Sequence, residues 1–203
     1  MFDNSLTKEQ LVKIKENNIF LDLYTYGEIT LVNLKNKIIN MIDDVTDLDR
    51  EVEDLKIEFN KLFALFLDEE EAIPLFASYY LNNQTLIFTE ETIKVKEFYK
   101  DNEYRIVGEE FVPEDSLVLE FGFVANLIND MLLDSNTESD NNKSLQVQEM
   151  FISKHLLNWI KLMLKTKGFN KKKSFYRYLL EFAILFTIKD QEELAKIIER
   201  KKE

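Results

Sequence analysis

LDREVEDLKIEFNKLFALF, Leu48 to Phe66, sets Leu48, Val52, Leu55, Phe59, Leu62 and Phe66 apart by alternating fours and threes. Residues so spaced share one face of an α-helix, and an apolar face of that length must be covered by a core or another helix. Around this stretch the chain keeps the same habit. Leu34, Ile38, Met41 and Ile42 precede it, and Leu117, Phe121, Val124, Ile128 and Met131 follow at helical spacing. Only four Gly and two Pro interrupt 203 residues, of which 45% are hydrophobic. Sheet architectures need more turn residues than that, so the expected fold is all-α.

Local signals mark where helices start and stop. Thr7-Lys8-Glu9-Gln10 reads as a capping box opening a first helix. Ala72 to Phe88, with Pro74 and the polar run Asn82-Asn83-Gln84, reads as a connecting loop, and a helix is predicted from Glu90 to Lys100. Pro113 suits a first helical position, ahead of Glu114 and Asp115, which favour the positive end of a helix dipole. Asp134 to Ser144 has almost no apolar content and is predicted to be a flexible polar loop joining two helical halves of a single domain, residues 1–203. Two helices near 145–165 and 173–188, then a short charged helix from Asp190, complete the bundle.

Charge and composition narrow the function. Asp and Glu number 38 against 26 Lys and Arg, a formal charge of −12. Such a field repels nucleic acid and attracts cationic peptides. Without Cys, neither disulfides nor thiolate metal sites form. Met1 to Gln10 lacks the apolar region of a signal peptide, and no stretch reaches the roughly 20 apolar residues of a membrane span. A cytoplasmic protein without membrane insertion is expected.

The search for catalytic chemistry finds little. His155 is the single histidine and stands on a predicted helix beside Trp159, where it reads as a packed residue. No phosphate-cradling glycine loop and no Gly-x-Ser-x-Gly elbow occur. Asp43, Asp44 and Asp47 match a short aspartate-rich pattern that would hold diphosphate through Mg²⁺. That leaves open a small all-α enzyme as an alternative to a binding protein. A helical adaptor pairing through the Leu48–Phe66 stripe is the other alternative. The leading expectation is no enzyme, no metal and no cofactor.

Three segments resemble the TorD/DmsD/NarJ family of redox-enzyme maturation chaperones. EFNKLF (58–63), followed by IPLFASYY (73–80), is similar to the family's helix end and proline-containing loop. PEDSLVLEFGF (113–123) resembles its signature, in which His stands where this chain has Ser116. FISKHLLNW (151–159) resembles its Phe-x-x-x-His-Leu-x-x-Trp helix, and Phe175-Tyr176 fits a later pair. The resemblance implies a TorD-like bundle and a chaperone that binds the twin-arginine signal peptide of a molybdoenzyme precursor before export. It further implies a monomer or a helix-swapped dimer. The peptide-binding residues it implies are Glu114 and Asp115 as arginine partners, Glu120 one turn on, and Ser116 at the altered position. Phe76, Tyr79 and Tyr80 would line an apolar groove.

Overall fold

The computed structural model describes residues 5–17, 19–63, 71–82, 88–107, 112–133, 137–171 and 174–201. Among them the fold is all-α: α1 (Lys8–Glu16), α2 (Ile29–Asp43), α3 (Leu48–Phe63), α4 (Ala77–Leu81), α5 (Glu90–Asp101), α6 (Leu117–Met131), α7 (Glu138–Phe151), α8 (Leu157–Met163) and α9 (Phe175–Arg200). A 3₁₀ turn, Ile19–Asp22, precedes α2, and a π-helical segment, Ile152–Leu156, joins α7 to α8. The chain forms two compact units, residues 1–74 with 164–186 and residues 75–163 with 187–203.

The first unit is built on the stripe that opened the sequence. Leu55 and Leu62 are buried on α3, among Leu11, Leu34, Ile38 and Ile42 from α1 and α2. Phe59 and Phe63 meet the ring of Tyr176 edge-on at 5.5 and 5.7 Å. The stripe is therefore a core face rather than an adaptor's free seam; Phe66 lies outside the described residues. At α1 both halves of the predicted capping box form: Gln10 N–H donates to Thr7 Oγ1 and Thr7 N–H to Gln10 Oε1. Glu58, from the same helix α3, accepts from Ser174 Oγ and from Tyr176 N–H at 3.1 Å. It satisfies an orphan donor at the start of α9. Burial pushes the Glu58 carboxyl up, and these two hydrogen bonds pull it back.

The second unit holds α4 to α8 and α9 from Thr187 onward. Its centre is an aromatic cluster in which Tyr99, Phe123 and Phe151 lie within 4.7–5.7 Å of one another, centroid to centroid.

Several boundaries differ from the sequence expectations. The predicted loop 72–88 contains α4. Helix α6 begins at Leu117 with Ser116 as its N-cap, so Pro113 sits in the turn before it. The predicted polar loop is helical from Glu138 to Ser144, because Thr137 and Asp140 form a capping box that starts α7 without apolar help. Residues 134–136 lie outside the described residues. That segment also does not divide the two units, whose boundaries fall at 74/75, 163/164 and 186/187. No break occurs at Asp190, since α9 runs on to Arg200. No helix among the described residues is long and apolar enough to cross a membrane.

Candidate functional site

All seven residues expected to bind peptide lie in the second unit, and the structure gathers them around the start of α6. Two extended strips meet there: Phe76 and Ser116 form an antiparallel bridge. Ala77 N–H donates to the Asp115 carbonyl at 3.0 Å, and Leu117 N–H to the Leu75 carbonyl at 2.9 Å. This bridge sets Asp115 against the N-terminus of α4. Phe76, the N-cap of that helix, offers no side-chain cap. Asp115 does the capping from across the bridge. Its Oδ2 accepts from Ser78 N–H at 2.7 Å and its Oδ1 from Thr92 Oγ1 at 2.9 Å. A short helix with no cap of its own thus has two orphan donors satisfied by a residue 37 positions away.

Asp115 is 0% exposed. The expectation that its carboxylate faces an incoming arginine does not hold: it lies inside, with both oxygens engaged. Glu120 fares the same way. It too is 0% exposed, and its Oε2 accepts from Trp159 Nε1 at 2.8 Å. Burial holds the Glu120 carboxyl well above the usual carboxylate range, the Trp159 hydrogen bond opposes this, and nearby Asp115 adds to it. A carboxyl at 0% exposure with one oxygen taken by Trp159 is not placed to meet a guanidinium. Ser116 is buried and caps α6, its Oγ accepting from Leu119 N–H at 3.4 Å.

The aromatics also serve the packing. Tyr80 stacks on Trp159 with centroids 5.6 Å apart, and Tyr79 meets Tyr80 edge-on at 5.1 Å. Phe76, Tyr79 and Tyr80 are half-buried. His155 stacks on Phe151 at 5.2 Å and meets Phe98 edge-on at 5.0 Å. Burial lowers its pKa, so the imidazole is neutral at pH 7, as a packed helix residue should be.

Glu114 is the member left near the surface. Its carboxylate pairs with Lys96 Nζ at 2.9 Å, with 17% of the Glu114 side chain exposed. Its carbonyl accepts from Tyr99 Oη at 3.2 Å. Together with Tyr99, Tyr104 and Arg105 these residues line an open cleft of about 900 Å³. The sequence reading did not identify Ser78, Thr92, Trp159 and Lys96 as partners of the signature. Thr92 carries one local signal, since it also accepts from Thr89 N–H at 3.1 Å in the capping box of α5. For the other three, spacing along the chain holds none.

The aspartates of the alternative enzyme reading do not converge. Asp47 Oδ1 accepts from Arg50 N–H at 3.2 Å and so caps α3, while Lys15 Nζ binds the Asp43 and Val45 carbonyls at the end of α2. Among the described residues no three His, Asp or Glu side chains gather where a metal ion could be held.

The polar residues of this region hold helices together, and its opening is a broad surface cleft. The class these define is an all-α protein whose signature residues serve chiefly in packing. Comparison with known proteins makes it specific. A match to the family described as nitrate reductase delta subunit spans residues 30–165. The chaperone protein TorD of Vibrio atlanticus (strain LGP32) is 30% identical over 167 residues, covering 79% of this chain and 74% of that protein. No solved structure gives a significant match. The chain belongs to the nitrate reductase delta subunit family, which includes the TorD and NarJ chaperones, and the family resemblance read from the sequence holds. It is a redox-enzyme maturation chaperone and not an enzyme.

Proposed function

We propose that this chaperone is cytoplasmic and binds the twin-arginine signal peptide of a molybdenum-cofactor oxidoreductase precursor, holding it until maturation is complete. Membership of the chaperone family supports the precursor as ligand. One observation bears on how the peptide is held: Glu114 is the single signature carboxylate at a cleft mouth, and Lys96 occupies it with one ammonium. An arginine offers a planar fork that makes two parallel hydrogen bonds to a carboxylate, whereas Lys96 is a point charge on an exposed stem. Exchange of Lys96 for a guanidinium is the binding step. The net charge of −12 draws a dibasic leader toward the surface. A carrier that must release its client needs micromolar rather than nanomolar affinity, about −8 kcal/mol.

Calorimetric titration with the leader peptide of a molybdoenzyme precursor tests this. Wild type binds; changing both leader arginines to alanine weakens binding at least tenfold, and so does Glu114→Gln. Equal affinity for the arginine and alanine peptides would refute the reading.

A further inference from the structure

Leu164 to Arg177 holds six Lys and Arg and not one Asp or Glu, in a chain whose formal charge is −12. Part of this stretch borders a cleft of about 560 Å³ in the first unit, separate from the Glu114 cleft of the second. Lys61 from α3, Lys171 and Arg177 line it, and Ile57, 62% exposed, gives it an apolar edge. Lys172 and Lys173 lie outside the described residues. Arg177 is only 6% exposed; its Nε donates to the Gly168 carbonyl at 2.8 Å, and its Nη1 stands 3.4 Å from Ser174 Oγ. A charge so buried is screened less than one at the surface.

Nearer solvent, Lys61 and Lys171 reach one carboxylate from two sides. Lys61 Nζ stands 2.6 Å from Glu71 Oε2, and Lys171 Nζ 3.1 Å from Glu71 Oε1. This double grip holds the Glu71 carboxyl below its ordinary value, Lys61 contributing most. The other carboxylates lining the cleft have different partners: Glu58 is engaged at the start of α9, and Asp54 pairs with Arg50 at 3.8 Å. Glu71 thus shows what the two ammonium groups take, a carboxylate laid across both. Its backbone is pinned, since a Cβ on Gly168 would stand 2.4 Å from the Glu71 carbonyl oxygen, and Ile73 N–H donates to the Leu62 carbonyl at 2.6 Å. Its side chain can turn to another rotamer while that backbone stays.

We propose that the cleft at Lys61, Lys171 and Arg177 docks an acidic segment of a partner protein, with Glu71 as the internal occupant that the segment displaces. A free ligand with one carboxylate would only replace a tethered one and gain nothing. A segment with several carboxylates gains, because the exposed Lys167 follows the same edge, its Cα about 3.8 Å from that of Gly168. The net charge of −12 does not forbid this. At physiological salt, exposed charges beyond about 8 Å are largely screened, so the local cations decide. The surface stands apart from the Glu114 cleft, and the proposal holds whether or not a leader peptide binds there.

The probe is a short labelled peptide of glutamates interrupted by leucines. Its binding to the whole chain is followed by fluorescence anisotropy, with thermal unfolding confirming the fold of each variant. Wild type should bind it weakly, and Glu71→Gln should tighten binding about three- to fivefold, the weight of the exposed ion pairs it releases. Lys61→Gln with Lys171→Gln should weaken binding at least tenfold. Lys154→Gln with Lys161→Gln removes the same charge from exposed sites of the second unit and should leave binding unchanged. A peptide with glutamine in place of glutamate should not bind. No tightening in a folded Glu71→Gln variant, or equal losses in the two lysine pairs, overturns the proposal. So does absence of binding by both wild type and Glu71→Gln. Displacement of the peptide by inorganic tripolyphosphate at far lower concentration than by unlabelled peptide would assign the cleft to phosphate, also overturning it.

Discussion

Replacing Asp115 by alanine separates architecture from recognition. The change removes the acceptor for Ser78 N–H and for Thr92 Oγ1, while the backbone carbonyl still serves Ala77 N–H. Both stranded donors belong to buried residues, Ser78 at 0% and Thr92 at 3% exposure, so water does not readily replace the lost partner. A buried donor without an acceptor costs about 1–3 kcal/mol, which for two gives about 2–6 kcal/mol. That is a large part of the 5–15 kcal/mol by which domains are typically stable. In a chain of this length the melting temperature should fall by roughly 10 °C. Asp115→Asn, which keeps one acceptor and turns an amide N–H₂ toward the other donor, should lie between wild type and alanine. Thermal unfolding followed at 222 nm gives the answer. If Asp115→Ala melted within about 2 °C of wild type yet lost binding to a dibasic peptide, the carboxylate would be acting on the ligand. The capping role would then be wrong.

Glu120→Gln should leave the fold intact, because the amide oxygen can still accept from Trp159 Nε1. The pH dependence is more telling. With the folded-state carboxyl raised above its ordinary 4.5, the folded chain binds more protons than the unfolded one above that pH. Wild-type stability therefore falls as pH rises above about 4.5, by at most about 1.4 kcal/mol per pH unit, and the glutamine variant lacks this decline. Melting curves between pH 4.5 and 8 should show the variant gaining on wild type as pH increases; parallel curves would refute the raised carboxyl. Gly168→Ala should destabilise the first unit by several kcal/mol, since its Cβ would stand 2.4 Å from the Glu71 carbonyl oxygen, a backbone atom that cannot rotate away. A denaturant midpoint equal to wild type would contradict that close approach.

How much of this was legible depends on range. The α3 stripe, the Thr7 capping box and the extent of α5 follow from residues three or four apart, and the structure agrees with each. Where composition stood in for spacing, the reading failed. Asp134 to Ser144 looked like a loop because it lacks apolar residues, but Thr137 and Asp140 supply a start signal strong enough to make α7 helical. The site failed for another reason. Acidic residues ahead of a helix read equally well as dipole partners or as ligand partners. What decides for Asp115 is Ser78 and Thr92, 37 and 23 positions away, which no local pattern reveals.

The signature that carried the family resemblance is thus mostly construction. Asp115 caps α4, Ser116 caps α6 and Glu120 fixes the indole of Trp159. That accounts for a serine being acceptable where the family has histidine. The position is an N-cap with extended backbone, φ −79° and ψ 143°, and serine is among the best residues there. In the proposed function, recognition falls to the carboxylate this construction leaves at the cleft, Glu114. A substitution at Asp115, Ser116 or Glu120, all buried, would then reach a ligand only by disturbing this packing. Its effect on binding should follow its effect on melting temperature, whereas a change at Glu114 should alter binding and leave melting nearly alone.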